Sequence, residues 1–411
     1  MFPKINLSEY LYELPNDKIA FVPLEQRDQS KLLVVNTIDE SISHHTFRDL
    51  IQLLPQNSTI FANSSKVLFA RIAANKSTGG KAEIFLTEPI APTSEYNTAL
   101  AMKETVRWKG IIGGKHIRAN GVLISEINNQ KLHFTIIEKE DNKAIIEFNP
   151  AEVNLTVREM LNAFGQVPLP PYIKRNNNPN DKHTYQTVYA NLEGSVAAPT
   201  AGLHFTKEML EELKASGREL NELTLHVGLG TFKPIDTDNL EEFDMHSERI
   251  IINRINLEKI LDALSKKQNI VAVGTTSARI LESIYWLACT VMENPNNTLL
   301  YDTDVFEQDY PYSSNPKPTP SDAIAALLQY FKENGIEELT LRTKLLIVPT
   351  YEFKIVNILI TNFHQPHSTL ILLVAAFLGR ELWHRAYSEA LEKEYRFLSY
   401  GDANLLIREI K

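Results

Sequence analysis

Hydrophobic residues in the first 65 positions alternate between runs of strand length and segments with helical spacing. The run Lys31–Asn36 predicts a strand, His45–Leu54 predicts a helix with Thr46 as its N-cap, and Ser58–Asn63 predicts the next strand. The same alternation of strands and helices returns at about residue 153 and continues toward the end of the chain. This order of elements predicts an α/β fold with a Rossmann-like mixed α/β body.

Residues 66–152 have a different pattern, in which short β-type runs follow one another without helices between them. Polar turns such as Thr78–Gly80 and Asn128–Asn129 separate the runs, and one of the runs is Thr98–Met102. Closely spaced strands of this kind are typical of a small antiparallel barrel or sandwich. We therefore predict an inserted small antiparallel β-barrel domain at 66–152, and an α/β body that comprises 1–65 and 153–411.

A second interruption lies within the α/β body, from about residue 289 to 341, and we interpret it as an insertion. Its one amphipathic stretch predicts a helix over Asp322–Asn334. Beyond it, the apolar runs predict strands at Leu345–Pro349 and Ile355–Thr361. A nearly all-apolar segment, Ser368–Leu378, then predicts a buried helix with its first residue as N-cap.

Length, charge and cysteine content limit the class of protein. At 411 residues the chain exceeds the usual size of a single hydrophobic core, so two or more domains are expected. The formal charge of −9 provides no general basic field for nucleic acid, so any such surface must be local. A single cysteine, Cys289, excludes an internal disulfide and fits a reducing cytoplasm. The N-terminus lacks a signal-peptide pattern, and the longest apolar run, Leu370–Leu378, is too short to span a bilayer.

One locally basic segment lies in the predicted barrel and contains a tryptophan among its cations. Its candidates for RNA contact are Lys103, Arg107, Trp108, Lys109, Lys115 and Arg118. Cations around an aromatic ring suit contacts with phosphates and base stacking. The alternative is a solvated strand edge protected by lysines. Lys174 and Arg175, at the end of a proline-rich connector, are further candidates for RNA contact.

Strand-to-helix turns of the α/β body are rich in small and hydroxyl-bearing residues. The segments are EGSVAAPTAGLHFT from Glu193, LHVGLGTF from Leu225, AVGTTSAR from Ala272 and ITNFHQPHST from Ile360. The carboxyl ends of strands form the ligand crevice of α/β folds, and helix N-termini there offer free N–H groups to anions. One such turn alone could be tight packing, whereas several together indicate a crevice for a nucleotide-sized ligand.

Histidines lie at or near the same turns, and imidazole suits proton transfer because it titrates near neutral pH. The candidates are His204, His226, His246, His364 and His367. Each could instead be a hydrogen-bonded core residue, or a metal ligand together with Glu248. Since none has the close spacing of a motif such as HExxH, proton transfer ranks above metal binding.

The longest motifs closely resemble the signatures of one family, the S-adenosylmethionine:tRNA ribosyltransferase-isomerases. They are EGSVAAPTAGLHFT, TLHVGLGTFKP, MHSE, AVGTTSARILES, ITNFHQPHSTLILLVAAF and YRFLSYGDANLLI, and they occur in the family's order. LEQRDQSKLLVVN, NSSKVLFARI, TGGKAEIFL, PLPPYIKR and YQTVYA are also similar to that family. The chain resembles a divergent member, because Thr350, Asn357, Asn404 and the barrel segment after Thr98 depart from the family pattern.

The resemblance implies an enzyme of queuosine biosynthesis, with S-adenosylmethionine as co-substrate and with neither a metal nor another cofactor. Such an enzyme transfers and isomerises the ribosyl group of S-adenosylmethionine onto 7-aminomethyl-7-deazaguanine at the tRNA wobble position. The product is epoxyqueuosine-tRNA, and adenine and methionine are released. The resemblance also implies an α/β body with an inserted β-barrel, the tRNA anticodon loop as partner, no membrane, and a cytoplasmic location.

This chemistry needs a base and an acid, because the sulfonium acidifies the neighbouring ribose hydrogens and adenine must be protonated as it departs. We expect His204 and His226 to handle these protons, with Glu193 or Glu248 orienting one of them. In the alternative interpretation, both histidines only form hydrogen bonds to substrate or backbone.

Other residues of the motifs are expected to bind S-adenosylmethionine. Thr275, Thr276 and Arg279 suit its methionine carboxylate, and Phe205, Phe232 or Phe363 could face its sulfonium. The full set of substrate-binding candidates is Gly194, Ser195, Thr200, Gly202, Phe205, Gly228, Gly230, Thr231, His246, Thr275, Thr276, Arg279, Asn362, His364, Tyr400 and Asp402.

Two other functions compete with this interpretation. The first is a metal-dependent hydrolase that uses His204, His226, His246 and His364. The second is a non-catalytic RNA-binding paralogue of the same family, which would release no adenine from S-adenosylmethionine.

Overall fold

The computed structural model of the chain describes residues 3–409, apart from 229, 231–234, 236, 238–239, 296–298, 300 and 314–316. Its strands are, in chain order, β1 (Lys31–Asn36), β2 (Ser41–Thr46), β3 (Ser58–Asn63), β4 (Lys66–Val67), β5 (Arg71–Lys76), β6 (Lys81–Ala91), β7 (Val106–Gly113), β8 (Val122–Ile127), β9 (Gln130–Glu140), β10 (Lys143–Phe148), β11 (Gly165–Gln166), β12 (Glu193–Ser195), β13 (Leu220–His226), β14 (Glu248–Asn253), β15 (Asn269–Val273), β16 (Glu338–Thr343), β17 (Ile358–Asn362) and β18 (Ala403–Ile407). Its α-helices are α1 (Leu50–Leu53), α2 (Tyr96–Ala101), α3 (Val157–Phe164), α4 (Asp181–Thr184), α5 (Lys207–Ala215), α6 (Arg254–Ser265), α7 (Thr275–Glu293), α8 (Pro320–Glu333), α9 (Thr369–Leu378) and α10 (Arg380–Glu392).

A nine-stranded mixed sheet forms the body, in the order β16-β14-β13-β3-β15-β17-β18-β1-β2. Within it, β13, β3, β15 and β17 are parallel neighbours. The side chains of β15 alternate between two hydrophobic clusters: Ile270 and Ala272 pack with α6–α10, and Val271 and Val273 pack with α1 and α5. A sheet covered by helices on both faces confirms the predicted α/β body.

The six strands β5-β6-β7-β10-β9-β8 form a ring of antiparallel pairs, which the pairing of β8 with β5 closes. Residues of β7 alternate strictly: Val106, Trp108 and Gly110 are buried inside the barrel, and Arg107 and Lys109 point outward. The closed ring confirms the predicted antiparallel barrel. The division of the chain at 66 and 152 stays a prediction, since α3 also packs against the interior cluster of the barrel.

The strand predicted at Thr98–Met102 is wrong, because this segment belongs to helix α2. The Glu95 carboxylate caps that helix by accepting hydrogen bonds from the backbone N–H groups of Asn97 and Thr98. Tyr96, Ala99 and Leu100 are buried at helical spacing. The capping carboxylate and the 3–4 residue spacing of the buried side chains account for the helix.

The helix predicted over His45–Leu54 is shorter than expected. Strand β2 continues to Thr46, a single 3₁₀ turn follows, and α1 begins at Leu50. Thr46 and Asp49 nevertheless form the reciprocal hydrogen bonds of a capping box, which confirms Thr46 as the N-cap of this segment.

Leu345–Pro349 is buried but forms no strand in the described structure. Its backbone groups are bonded to side chains instead of a neighbouring strand. Arg279 Nε donates to the carbonyl of Leu345, and the Tyr312 hydroxyl donates to the carbonyl of Leu346 and accepts from the N–H of Val348. This segment therefore occupies the interior without pairing in the sheet.

The region interpreted as an insertion contributes to the body of the fold. Helix α7 extends to Glu293, helix α8 packs against α6 and α7, and β16 forms the edge of the large sheet beside β14. The helix predicted over Asp322–Asn334 is confirmed as α8, which begins slightly earlier at Pro320.

The buried carboxylate of Glu282 anchors helix α7 to the loop before β17. The side chain is fully buried, and its oxygens accept hydrogen bonds from the backbone N–H groups of Lys354, Ile355 and Val356. The Tyr351 hydroxyl donates a further hydrogen bond to Oε2. The Glu282 carboxylate thus provides hydrogen-bond acceptors for three backbone N–H groups that are not paired with a strand.

We predict that Glu282→Gln destabilises the protein by about 2–3 kcal/mol, because an amide offers one acceptor oxygen where four donors converge. Glu392→Gln, at the exposed C-terminal end of α10, is the matched control and is expected to change stability by less than about 0.5 kcal/mol. Urea denaturation of both variants measures the difference. Equal unfolding midpoints for the two variants would contradict the anchoring role.

Candidate active site

The parallel strands of the body end at one edge of the sheet, where the motif turns come together. β13 ends at His226, β15 at Val273 and β17 at Asn362. Because β14 is antiparallel to β13, it begins at the same edge, with Arg249 beside His226. Two cavities lie there, which places the crevice where the sequence predicted it.

The larger cavity, of about 630 Å³, lies between the barrel and this edge. The barrel contributes residues of β6, β7, β9 and β10, including Glu88 and Lys109. The body contributes residues 226–228, 246–249 and Arg342. We call this cavity the cleft; it has walls from both parts of the protein.

A smaller cavity, of about 70 Å³, lies beside the cleft, and Val227 lines both. Its walls include Thr200 and residues 274–276 and 362–364. Helix α7 begins here at Thr275, and no side chain of the described residues caps its N-terminus. The first N–H groups of this helix, together with the hydroxyls of Thr275 and Thr276, suit a carboxylate.

His226 lines the cleft and is buried. Its ring packs against Tyr96 with centroids 4.7 Å apart, and Gly194 also lies against the ring, where a Cβ would come within 2.4 Å of Nδ1. Nδ1 has no hydrogen-bond partner among the described residues. Burial, helped by the charge of Arg249, lowers the pKa of His226 to about 3, so the imidazole is neutral at pH 7.

Glu248 is a buried carboxylate with three partners at the same edge. Arg279 Nη1 donates to Oε2, and the N–H of Gly228 donates to Oε1 over 3.2 Å. His246 Nε2 lies 3.3 Å from Oε1. Burial alone would raise the pKa of Glu248, but Arg279 and His246 outweigh it and lower the pKa to about 2. The sequence predicted that Glu248 orients His204 or His226; the structure pairs it with His246 instead.

Arg279, predicted to bind a substrate carboxylate, is occupied by protein groups. Besides its bond to Glu248, its Nε donates to the carbonyl of Leu345 over 3.1 Å. Only Nη2 has no hydrogen-bond partner among the described residues. The guanidinium therefore compensates a buried charge, and its contact with a substrate carboxylate stays a prediction.

Four charged residues hold the barrel against the sheet edge. Arg249 Nη2 lies 2.6 Å from Asp302 Oδ2 and 3.2 Å from Glu88 Oε1, and Arg342 pairs with the same two carboxylates. Arg249 also lies over the Tyr96 ring. Sequence reasoning missed all five residues, because they come from distant positions and form no local motif.

His204 has both ring nitrogens engaged by the protein. Nδ1 lies 2.7 Å from Ser30 Oγ, which in turn donates to the carbonyl of Arg27. Asn362 Nδ2 donates to Nε2 over 3.1 Å. These bonds are consistent with a neutral ring protonated at Nδ1, and burial lowers the pKa of His204 to about 4. Both ring nitrogens of His204 therefore contact protein side chains, and its role in proton transfer stays a prediction.

Glu193 is held by two cations and by neither predicted histidine. Lys66 Nζ lies 3.0 Å from Oε1, and Arg158 Nε donates to Oε2. Burial acts to raise the pKa of Glu193, but these two partners lower it overall. The structure contradicts the prediction that Glu193 orients a catalytic histidine, since its lone pairs are directed to Lys66 and Arg158.

Three candidates of the EGSVAAPTAGLHFT segment have packing roles. Ser195 Oγ accepts a hydrogen bond from the N–H of Val227 over 2.8 Å. Gly202 lies so close to Tyr189 that a Cβ would come within 1.9 Å of the hydroxyl. Phe205 is fully buried in the core. They stabilise the wall of the site, and direct contact with substrate is not supported for them. Thr200 is different, because it lines the small cavity and donates to Asn362 Oδ1.

Two candidates near the C-terminus also lie away from both cavities. Asp402 accepts hydrogen bonds from the N–H groups of Lys31 and Arg396, over 2.9 and 2.7 Å, and so ties β1 to the turn before β18. The Tyr400 ring packs edge-on against Tyr185. The structure gives both residues structural contacts in place of the predicted substrate contacts.

His364 and Phe363 line the small cavity, at the end of β17. His364 Nε2 lies 2.8 Å from Thr361 Oγ1, and burial lowers the pKa of His364 to about 3. Two other candidates, Thr231 and Phe232, lie outside the described residues.

The predicted RNA-contact residues fall into three groups. Trp108 is fully buried in the barrel, so the prediction that it stacks on a base is wrong; the alternation of β7 places it inside. Arg107, Lys109 and Arg175 are bonded to Glu147, Glu88 and Asp181, respectively. Exposed cations remain available for RNA contact, and they are Lys103, Lys115, Arg118 and Lys174.

The histidines of the hydrolase alternative do not form one cluster. His204 and His364 have separate partners, and in the described part of the chain no group of three or more His, Cys, Asp or Glu side chains could hold a metal ion. The hydrolase alternative therefore lacks the ligand cluster on which it depended. Among the described helices, none combines the length and apolar character needed to cross a membrane.

Residues 7–406 match the family described as "Queuosine biosynthesis protein". Curated relatives named S-adenosylmethionine:tRNA ribosyltransferase-isomerase are similar to nearly the whole chain. The protein of a Sulfurihydrogenibium species is 37% identical over 404 residues, which cover 98% of this chain and 100% of the relative. That of Aquifex aeolicus is 36% identical over 406 residues, with the same coverage of 98% and 100%.

A crystal structure of S-adenosylmethionine tRNA ribosyltransferase from Thermotoga maritima is also similar. It is 27% identical, the match covers 97% of this chain and 100% of that one, and the TM-score is 0.47.

We predict that Gly194→Ala displaces His226, because a Cβ at residue 194 would lie 2.4 Å from the imidazole Nδ1. The overpacking is expected to destabilise the protein by about 1–3 kcal/mol. Gly113→Ala is the control, since its Cβ would meet only Glu83, at the ordinary contact distances of 3.5 Å to Cβ and 3.9 Å to the carbonyl oxygen. NMR spectra of ¹⁵N-histidine-labelled protein should show shifted His226 ring signals in the first variant alone; unchanged signals there would contradict the contact.

Proposed function

The chain belongs to the S-adenosylmethionine:tRNA ribosyltransferase-isomerase family of queuosine biosynthesis, and we propose that its reaction takes place in the cleft between barrel and body. Members of the family use S-adenosylmethionine as co-substrate and modify tRNA. The finer part of the proposal is that the acceptor is 7-aminomethyl-7-deazaguanine at the wobble position. The ribosyl group would be transferred and isomerised there to give epoxyqueuosine, with release of adenine and methionine.

One observation carries this assignment: the large cavity at the strand ends has a wall from each part of the protein. A base attached to RNA and a small co-substrate must meet in one place. A cleft open between two parts, with a narrow side cavity beside it, accommodates both requirements.

S-adenosylmethionine is best placed across the two cavities, which meet at Val227. Its methionine carboxylate would bind the N-terminus of α7, where Thr275 and Thr276 offer hydroxyls and N–H groups. Its sulfonium and ribose would then extend into the cleft, and Phe363 in the small cavity is the described aromatic candidate for contact with the cation.

His226 is suited to forming hydrogen bonds as a neutral imidazole rather than to accepting a proton. Because burial and Arg249 keep its imidazole neutral, it can donate an N–H to a leaving base or to a ribose oxygen without carrying a charge. His204 would act indirectly, by holding Asn362 at the wall of the small cavity.

The tRNA anticodon loop is proposed to approach from the barrel side of the cleft. Lys115 and Arg118 are exposed on the loop between β7 and β8, and they can meet phosphates without breaking an ion pair that the structure shows. Since tRNA modification of this kind takes place where tRNA is matured, we expect a cytoplasmic location.

The proposed function is tested with S-adenosylmethionine and tRNA that carries 7-aminomethyl-7-deazaguanine. We expect adenine to be released in the same amount as an epoxide-containing nucleoside is formed. Chromatography detects the adenine, and mass spectrometry of the digested tRNA detects the nucleoside. Activity should survive EDTA, in contrast to that of a metal-dependent hydrolase. Absence of both adenine and the new nucleoside would refute the proposal and would favour a non-catalytic RNA-binding paralogue.

We predict that Lys115→Ala and Arg118→Ala each weaken tRNA binding and reduce its salt dependence by about one unit of slope. The affinity for S-adenosylmethionine should stay unchanged, because both residues lie outside the two cavities. Lys332→Ala, at an exposed position near the end of α8, is the charge-matched control. Filter-binding titrations over a range of salt concentrations measure the slopes, and slopes equal to that of wild type would place the RNA elsewhere.

A further inference from the structure

We propose that His246 is the base of the ribosyl transfer and that the buried Glu248–Arg279 pair positions it at the wall of the cleft. The inference rests on the proposed function, because it assigns a residue to that reaction. It replaces the expectation that His204 and His226 share the proton transfers.

The His246 ring is held between a carboxylate and a glycine. Nε2 lies 3.3 Å from Glu248 Oε1, at ion-pair distance but not aligned as a hydrogen bond. The α-carbon of Gly230 lies against the ring, so that a Cβ there would come within 2.2 Å of Cγ. The side chain is 25% exposed and lines the cleft. With Nε2 directed toward Glu248, Nδ1 is, as far as the described residues go, the ring nitrogen left for a substrate.

Glu248 does not need His246 to compensate its own charge. Arg279 already neutralises the carboxylate at Oε2, and the N–H of Gly228 donates to Oε1. The contact between Glu248 and His246 has a clearer effect on His246, because an ionised carboxylate stabilises an imidazolium formed beside it. The pKa of Glu248 is held at about 2, so the carboxylate is ionised at neutral pH.

The other two histidines are less suited to accept a proton. His204 has Ser30 on one nitrogen and Asn362 on the other. His226 packs beside the cation Arg249, which opposes a second positive charge. Of these three, only His246 combines a carboxylate partner with a place on the cleft wall.

The proton transfer is balanced by the departure of adenine. Nδ1 of neutral His246 takes one hydrogen of the ribose C5′ as a proton, and the electron pair of the C–H bond stays on the carbon beside the sulfonium. That pair forms a C4′=C5′ double bond as the C4′–O4′ bond breaks, and the O4′ pair forms a C1′=O4′ carbonyl as the glycosidic bond breaks. The imidazolium then gives its proton to the adenine nitrogen that receives the electron pair of the glycosidic bond. His246 returns to the neutral state, and Glu248 stabilises the charge in the interval.

The test compares wild type, His246→Gln and His246→Ala in single-turnover reactions with saturating S-adenosylmethionine and the modified tRNA. Glutamine can form hydrogen bonds but cannot take the proton. We expect both variants to release adenine about 10²–10⁴-fold more slowly, whereas the Kd for S-adenosylmethionine changes less than about threefold, as for a group that acts in the transition state. Imidazole added to His246→Ala should restore part of the rate in proportion to its free-base concentration, which a merely structural role would not produce.

His133→Ala is the matched control, because His133 Nδ1 lies 2.8 Å from Glu152 on the barrel surface, away from the cleft. It should react like wild type. A wild-type rate in His246→Gln would overturn the assignment, as would a loss explained entirely by weaker binding of S-adenosylmethionine. If wild type itself released no adenine, the proposed function would fail, and the role of His246 would fail with it.

Discussion

Glu248 carries a negative charge into the interior, and the contacts that compensate this charge organise the edge of the sheet. A buried carboxylate without partners would cost several kcal/mol, so its surroundings must supply a cation and N–H donors. Arg279 comes from the second turn of α7, Gly228 follows β13, and Glu248 itself opens β14. Three elements are thereby fixed relative to one another at the point where the two cavities meet. The same interaction that stabilises the fold also fixes the position of His246.

The cleft exists because the barrel is held against this edge by a second set of contacts. Arg249 and Arg342 from the sheet share Glu88 of the barrel and Asp302. Tyr96 links the barrel core to the site, since its ring packs on Trp108 at 6.0 Å and on His226 at 4.7 Å. The barrel therefore supplies one wall of the site, in addition to the surface proposed for RNA.

Local sequence patterns predicted the architecture well, because they depend on neighbours along the chain. The α/β body, the closed barrel, helix α8 and the N-cap at Thr46 all follow from spacing of apolar residues and from capping chemistry. The motif turns also predicted where the crevice lies. Trp108 is a case in which the signal was present and missed: its alternation with Arg107 and Lys109 in β7 already indicated an inward side chain.

The roles of the polar residues could not be read from the sequence in the same way. Ser30 is 174 positions from His204, and Asp302 is 53 positions from Arg249, so no local motif joins these partners. His204 therefore looked like a catalyst, and Glu193 and Glu248 looked interchangeable. Only the folded arrangement distinguishes them, because it gives Glu193 two cations and gives Glu248 one cation and one histidine on the cleft.

The central claim is that the cleft and its side cavity bind S-adenosylmethionine with the ribose facing His246. An experimental structure of the protein with S-adenosylmethionine tests it most directly. The account predicts the methionine carboxylate at the N-terminus of α7, on Thr275 and Thr276, and the ribose C5′ about 3–3.5 Å from His246 Nδ1. Co-substrate bound elsewhere, such as in the groove between Leu11 and Ile371, would contradict it.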